Sequence, residues 1–163
     1  MAKKQNLSEH DSSKVPSAAG RKIGIVVSER NAEVTEALKN GALETLLKYG
    51  AKKEDITLRY VPGSFELPMG AQMMFDADED LEAVICLGCI IQGETRHFEF
   101  IANATANGIM NVGREYGSPV IFGVLTTNDM QQAMDRAGGK HGNKGVEAAV
   151  TCIKMLAVER SLH

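Results

Sequence analysis

The sequence predicts an α/β protein: a three-layer α/β/α sandwich in which a four-stranded parallel sheet carries helices on both faces. Short apolar runs of strand length alternate along the chain with longer segments whose apolar residues recur every three or four positions. The run over residues 83–87 is apolar throughout, which is typical of a parallel strand buried on both faces. Strands that alternate with helices imply right-handed crossovers, and therefore a parallel sheet covered on both faces.

Composition limits both the organisation of the chain and its class of partner. A chain of 163 residues, 44% of them hydrophobic, has the size of one α/β domain. Its net charge of -3 and the lack of a basic stripe with interleaved aromatics argue against nucleic acid as a partner. No apolar run reaches membrane-spanning length, and the first twenty residues hold no signal-peptide core. We therefore expect no membrane partner and a cytoplasmic location.

The three cysteines indicate buried, reduced thiols. Cys86 and Cys89 have the C-x-x-C spacing, but they lie within or at the end of an apolar strand, whereas thioredoxin-like pairs open a helix. No second pair of Cys or His residues completes a zinc site. We expect no bound metal.

The elements follow one another in a regular order. Residues 1–20 are polar and include Pro16, so we expect a flexible N-terminal arm before a single domain over residues 21–163. Strands are predicted at 23–27, 56–61, 83–87 and 120–125, and Pro62 and Gly63 end the second of them. A helix is predicted after each strand, with a further one at the C-terminus. The apolar stripes of the four longer helices are Val34, Leu38, Ala42 and Leu46; Leu67, Ala71 and Met74; Ile101, Thr105, Ile109 and Val112; and Val146, Val150, Ile153 and Ala157. Helix caps are predicted at Ser64, at Thr95 and at Thr127 or Asn128.

The end of the third strand predicts a ligand site. Gly88 and Gly93 permit a tight exit from the strand, and Thr95 then opens the next helix. Open α/β sheets bind ligands outside the carboxyl ends of their strands, and a helix N-terminus there offers unpaired N–H groups to an anion such as phosphate. His97 lies in the first turn of that helix, and histidine is the side chain whose charge changes near neutral pH. The segment therefore predicts an anion site with a proton-transfer group beside it.

Further candidate residues lie at the other strand ends and just beyond them. They are Arg30, Ser64, Phe65, Glu66, Phe122, Arg136 and Lys144. Because the carboxyl ends of parallel strands meet at one rim of the sheet, we expect these side chains to converge with the histidine site.

Each candidate also has a purely structural interpretation. His97 could bond a nearby carboxylate at a helix start, and Arg136 could be a solvated charge near a helix C-terminus. Lys144 could serve turn chemistry alone, because its glycine-rich turn does not match a Walker A loop. Phe65 and Phe122 could be core residues, and Glu66 could complement the helix dipole. The methionines Met69, Met73, Met74 and Met110 are interpreted as residues that fill the core.

Four segments favour the functional interpretation. They read VPGSFELP over residues 61–68, GCIIQGETRHF over 88–98, PVIFGVLT over 119–126 and RAGGKHGNKG over 136–145. In this order and spacing they resemble the lumazine synthase family, and the likeness runs from about Lys22 to the C-terminus. The resemblance implies a flavodoxin-like winding of the sheet and a transferase of the penultimate step of riboflavin biosynthesis. That reaction condenses 5-amino-6-(D-ribitylamino)uracil with 3,4-dihydroxy-2-butanone 4-phosphate to 6,7-dimethyl-8-ribityllumazine, phosphate and water, without cofactor or metal.

The resemblance also implies a role for each site residue. His97 transfers protons. The butanone phosphate is bound by Gly93, Glu94, Thr95 and Arg136. The uracil substrate is held by Arg30, Ser64, Phe65, Glu66, Cys89, Ile90, Ile91, Phe122 and Lys144. At Arg30 the chain departs from the family pattern, which has Phe or Trp before the asparagine. A guanidinium plane can stack on a heterocycle, so we expect retained activity with altered substrate affinity.

Assembly is implied in the same way. The family is built on pentamers with active sites between adjacent subunits, so that Arg136 and His97 of one chain would meet Phe65 or Phe122 of another. The short link over residues 138–145 lacks the insertion of members that stop at pentamers, which favours a shell of sixty chains, and riboflavin synthase is an expected partner enzyme. The N-terminal arm is expected to add to a neighbour's sheet edge.

Two alternatives stay open. One is a non-catalytic shell or flavin- or lumazine-binding protein on the same scaffold, with Arg30 marking the loss of the pyrimidine platform. The other is a flavodoxin-like nucleotide binder, which explains the sheet but not four coordinated motifs.

Overall fold

The computed structural model describes residues 5–163, and within them four strands form one parallel sheet with the order β2-β1-β3-β4. The strands of the sheet are β1 (Ile23–Ser28), β2 (Ile56–Val61), β3 (Ala83–Ile91) and β4 (Val120–Thr127). The helices are α1 (Ala32–Lys48), α2 (Leu67–Ala77), α3 (His97–Tyr116), α4 (Met130–Asp135) and α5 (Lys144–Ser161). A small antiparallel hairpin, β5 (Ala137–Gly139) with β6 (Gly142–Asn143), joins α4 to α5. The predicted fold class is confirmed.

Alternation along the strands builds a core on each face of the sheet. In β1, Ile25 packs with the helices α1 and α5, while its neighbour Val26 packs with α2. All six residues of β1 are buried, as are eight of the nine in β3. Burying an Ile or Leu side chain contributes roughly 1.5–3 kcal/mol relative to leaving it exposed. The sheet is therefore a rigid platform that presents the carboxyl ends of all four strands at one rim.

The third strand is longer than the apolar run predicted. It continues through Gly88 to Ile91, because β4 runs beside it for the whole distance and pairs Ile91 with Thr127. Gly88, which was expected to end the strand, instead lets the Ser64 side chain pack closely against β3. The hydrogen-bond ladder to a neighbouring strand overrides the local preference of one glycine.

Helix starts differ from the sequence prediction at three places. Ser64 does not cap a helix, since a short 3₁₀ turn over Ser64–Glu66 precedes α2. Helix α4 is capped by Asp129, whose carboxylate accepts from the Gln132 N–H, and not by Thr127 or Asn128. Helix α3 has Arg96 at the cap position, and the Thr95 hydroxyl accepts from the His97 N–H at 3.4 Å.

Residues 5–20 run along the outside of the chain's own domain. Ala18 N–H donates to the Tyr49 carbonyl at 2.7 Å, and His10 Nε2 lies 2.6 Å from the Tyr49 hydroxyl. Residues 1–4 of the expected arm lie outside the described residues. The flexibility of the arm and its addition to a neighbour's sheet edge stay predictions.

Candidate active site

A cleft of about 330 Å³ opens where the strands of the sheet end. Its lining residues are Arg30, Asn31, Ser64, Cys89, Ile90, Ile91, Gly93, Thr95, His97, Phe98 and Ile101. The structure thus brings together more than half of the site residues that the sequence predicted, including the histidine. They come from the ends of β1 and β3, from the 3₁₀ turn after β2, and from the start of α3.

The last residues of β3 give the cleft a row of backbone groups. Strand β1 accompanies β3 only as far as the pair Val27 and Leu87, so beyond that point one edge of β3 has no strand beside it. Asn31 Nδ2 crosses this gap and donates to the Cys89 carbonyl at 2.9 Å. Because successive peptide groups of a strand point to opposite sides, the backbone groups of Ile91 face the same open edge. The edge can therefore hydrogen-bond a planar, amide-like ligand.

The start of α3 is exposed and offers groups suited to an anion. Gly93, Glu94, Thr95 and His97 are all exposed. A Cβ added to Gly93 would meet nothing within 4 Å, so the turn has room on its outer side. His97 is the first residue of α3, and the N–H groups of a first helical turn have no partner within the helix. The turn thus combines backbone donors, the positive end of a helix dipole and an imidazole.

The 3₁₀ turn after β2 presents one buried polar group and two exposed side chains. Ser64 is 5% exposed and its Oγ has no hydrogen-bond partner within the described part of the chain, while its carbonyl accepts from the Thr105 hydroxyl at 3.3 Å. A buried hydroxyl that lines a cleft is suited to bond a ligand. Phe65 is 56% exposed and Glu66 is exposed, so Phe65 is not a core residue.

Gly88 is required for the position of Ser64. A Cβ on Gly88 would lie 2.6 Å from Ser64 Oγ and 3.0 Å from Leu67 Cδ1. We expect Gly88→Ala to lower the free energy of unfolding by about 1–3 kcal/mol, because overpacking forces side chains from their rotamers. Gly93→Ala is the matched control, with an expected change below about 0.5 kcal/mol in open space. Urea unfolding of both variants measures the difference, and equal stabilities would contradict this account of Gly88.

Phe122, Arg136 and Lys144 lie outside the His97 cleft, in a second region of the surface beside β4 and the start of α5. Phe122 and Lys144 line a groove of about 870 Å³ that follows β4 between α3 and α5, together with Glu147. Glu147 Oε2 lies 3.0 Å from Arg136 Nη1, and Glu147 Oε1 lies 3.7 Å from Lys144 Nζ. Phe122 is 39% exposed and is not a core residue either. Within one chain, none of these three predicted residues lines the cleft that holds His97.

The cysteines contribute no reactive thiol. All three are free and buried. Burial raises the pKa of Cys89 to about 11 and that of Cys152 to about 12, and it also raises the pKa of Cys86 strongly. The thiols therefore stay protonated near neutral pH, and Cys89 can serve the cleft only through its backbone. Within residues 5–163, no three His, Cys, Asp or Glu side chains cluster so that they could hold a metal ion.

Sequence reasoning missed Asn31 and Glu147 as parts of the site. Asn31 has φ 58° and ψ 50°, a left-handed conformation in which asparagine is one of the few tolerated non-glycine residues. Its place three residues after the end of the buried strand β1 was the available signal. Glu147 pairs with Lys144 three residues earlier, which a helical wheel shows, but its contact with Arg136 depends on the hairpin.

Fold and site together define a class: an open α/β protein with a cleft at the carboxyl ends of its strands, beside a helix N-terminus suited to an anion. The family model for 6,7-dimethyl-8-ribityllumazine synthase matches residues 20–160. The chain is 56% identical over 153 residues to the 6,7-dimethyl-8-ribityllumazine synthase of Cytophaga hutchinsonii, covering 94% of this chain and 95% of that protein. It is 52% identical over 152 residues to the enzyme of that name from Parabacteroides distasonis, covering 93% and 94%. The chain belongs to the 6,7-dimethyl-8-ribityllumazine synthase family.

Proposed function

We propose that this chain condenses 5-amino-6-(D-ribitylamino)uracil with 3,4-dihydroxy-2-butanone 4-phosphate to 6,7-dimethyl-8-ribityllumazine, phosphate and water, in riboflavin biosynthesis. Family membership supports the reaction. The observation in the structure that carries it is the joining of three features in one cleft: an open backbone edge, a helix start suited to phosphate, and His97 between them.

The uracil ring fits the backbone edge. Its amide-like edge would lie along residues Cys89, Ile90 and Ile91 and bond the backbone groups on their open side, and the Arg30 guanidinium would lie on its face. The ribityl hydroxyls would bond Ser64 and Glu66, and Phe65 would pack against the ribityl carbons. Orientation of two substrates in one cleft supplies a large part of the catalysis.

The phosphate fits the turn at the start of α3. Gly93, Glu94 and Thr95 would offer backbone N–H groups to the phosphate of the butanone, and Arg136 would bind its oxygens. The amine attacks the ketone and a first water leaves as the C=N bond forms, phosphate is then eliminated, and the second nitrogen closes the ring with loss of a second water. His97 would move the protons that these steps require, since a histidine can act as acid and base near neutral pH.

A second copy of the chain completes this site in our proposal. Phe122 and Lys144 line the groove along β4, and Arg136 pairs with Glu147 of that groove. None of the three lines the His97 cleft of the same chain, so a neighbouring copy would supply them, and Arg136 would serve a different site from His97 of its own chain, contrary to the first expectation. Large apolar side chains left exposed on one chain agree with such contacts. They include Met69, Met73, Phe100, Met110, Phe122 and Met155. Of the four methionines interpreted as core filler, only Met74 is buried.

The wider assembly belongs to the same proposal. We propose pentamers, twelve of which close into a shell of sixty chains, with riboflavin synthase as a partner enzyme. Each subunit would consist of an N-terminal arm, residues 1–20, and one domain over residues 21–163. Free, buried cysteines suit a reducing compartment, so we place the protein in the cytoplasm. Among residues 5–163, no helix combines the length and the apolarity needed to cross a bilayer. Analytical ultracentrifugation distinguishes a shell from a free pentamer.

Turnover of the two substrates tests the proposed function. We expect the fluorescence of the lumazine product to rise with time when purified protein is mixed with both substrates, and not when either is left out. A protein that binds flavin or lumazine without forming product would contradict catalysis and favour the non-catalytic shell or binding protein.

Because Arg30 stands where the family pattern has Phe or Trp, we expect the affinity for the uracil substrate to differ from that of family members with the aromatic residue. Arg30→Trp would give the uracil a larger stacking platform, and an aromatic contact is worth about 0.5–1.5 kcal/mol. We expect the KM for the uracil substrate to fall by about threefold to tenfold in the variant, with kcat nearly unchanged. Steady-state kinetics measure both parameters. A wild-type chain without turnover beside an active Arg30→Trp variant would contradict retained activity.

A further inference from the structure

Residues 5–8, here called the N-terminal clamp, lie on the β5–β6 hairpin. Leu7 N–H donates to the His141 carbonyl at 2.9 Å. Asn143 N–H donates to Ser8 Oγ at 3.2 Å, and His141 Nδ1 lies 2.8 Å from the Gln5 carbonyl. The His141 Nδ1 must carry its proton there, because a carbonyl can only accept. Three contacts within four residues therefore hold the hairpin from outside.

Asn6, within the clamp, orients the Ser8 hydroxyl that accepts from Asn143 N–H. Ser8 Oγ donates its proton to Asn6 Oδ1 at 2.8 Å, and the Ser8 N–H donates to the same atom at 3.0 Å. With its proton engaged, the hydroxyl presents a lone pair to Asn143 N–H. Gly142 has φ +88°, and a Cβ at this position would collide with Asn6 and Ser8. The close approach of clamp and hairpin thus depends on that glycine.

The hairpin carries Arg136 and Lys144, the two cations paired with Glu147, at its ends. The His141 carbonyl that accepts from Leu7 also accepts from Arg136 Nη1 at 3.3 Å. Lys144 N–H donates to the Arg136 carbonyl at 2.8 Å, which closes the hairpin. Asn143 Oδ1 caps α5 by accepting from Gly145 N–H at 2.7 Å. Leu7 of the clamp and the Arg136 guanidinium therefore share one acceptor, the His141 carbonyl. Ser8 of the clamp bonds Asn143, the residue before Lys144.

We propose that the N-terminal clamp is a positioning element that holds Arg136 ready for the phosphate of the substrate. This inference rests on the proposed function, in which Arg136 binds that phosphate. A hairpin that is ordered before the substrate arrives avoids the entropy cost of ordering it during binding. None of residues 5–8 lines the His97 cleft, so the clamp would act through the hairpin.

The matched pair Ser8→Ala and Ser8→Thr, made in the full chain, tests the proposal. Alanine removes the acceptor for Asn143 N–H, whereas threonine keeps a hydroxyl. In Ser8→Ala we expect the KM for the butanone phosphate to rise about threefold to tenfold, the effect of one hydrogen bond. The KM for the uracil substrate and kcat should stay within about twofold. The backbone edge and His97 do not line the clamp, and Lys144 keeps its contacts with Glu147 and with the Arg136 carbonyl, neither of which involves Ser8. Ser8→Thr should behave as the wild type.

Two further measurements separate this inference from the proposed function. Hydrogen–deuterium exchange of the peptide over residues 137–144 should accelerate in Ser8→Ala and not in Ser8→Thr. Affinity for inorganic phosphate, measured on the assembled protein, should fall in Ser8→Ala even without turnover. A wild type that binds phosphate but forms no product would overturn the proposed function alone. Faster exchange with unchanged phosphate affinity and unchanged KM would overturn the clamp, as would an equal rise of both KM values.

Discussion

Replacing Arg136 with alanine is expected to lower kcat/KM for the butanone phosphate by about 100-fold, mainly through KM. A guanidinium binds phosphate through two parallel charge-assisted hydrogen bonds, and alanine leaves those phosphate oxygens without partners. A factor of 100 corresponds to ~2.7 kcal/mol, at ~1.36 kcal/mol for each factor of ten. That energy is within the range of one to two hydrogen bonds to a charged group, about 1.5–3 kcal/mol each.

Arg136→Lys is the control for charge alone. Lysine keeps a cation near Glu147, which lies 3.0 Å from the guanidinium in the wild type, but it loses the planar fork. We expect an intermediate loss of about tenfold. Steady-state kinetics with the butanone phosphate as the varied substrate measure both variants. An alanine variant that keeps the wild-type KM would remove Arg136 from the phosphate site.

Mixed assemblies test whether Arg136 serves the site of a neighbouring copy. The assay uses a concentration of the butanone phosphate far below the KM of Arg136→Ala, at which both variants are nearly inactive. When Arg136→Ala and His97→Ala chains are co-expressed in equal amounts, a shared site is complete wherever the two intact halves meet. Random pairing of halves gives about a quarter of wild-type activity. If both residues served one site within a single chain, the mixture would have no more activity than its components.

Replacing His97 with alanine is expected to lower kcat by about 100-fold, with little change in either KM. A positioned acid or base contributes about 10²- to 10⁴-fold, and we expect the lower end because the cleft still orients both substrates. His97 is exposed at the first position of α3, so the substitution leaves the core intact. A His97→Ala variant that unfolds at the same temperature midpoint as the wild type would confirm that the core is intact.

Added imidazole provides the sharper test of the same role. If His97 transfers protons, free imidazole that enters the open cleft should restore part of the kcat of His97→Ala. The rescue should follow the concentration of neutral imidazole when His97 acts as a base. A variant that retains the wild-type kcat would refute the proton-transfer role. A loss that imidazole cannot restore would indicate a role in packing or orientation.

Local patterns in the sequence were sufficient for the fold class and for one half of the site. Strand β1 was predicted at residues 23–27 and lies at Ile23–Ser28, because its strand-length apolar run reflects the local requirement to face a core. The turn with Gly93, Thr95 and His97 was predicted for a similar reason, since a strand, a turn and a helix start are contiguous in the chain. These residues do line one cleft.

Tertiary contacts decided the rest of the site, since they depend on residues far apart in the chain. Strand β3 passes through Gly88 because β4, more than thirty residues later, continues the ladder. Asn31 reaches Cys89 only because β1 ends before β3. Arg136 and Lys144 are held by Glu147 and by the hairpin, away from His97 of the same chain. Periodicity specifies which side of an element is buried, but the meeting of particular side chains is set by long-range pairing and packing.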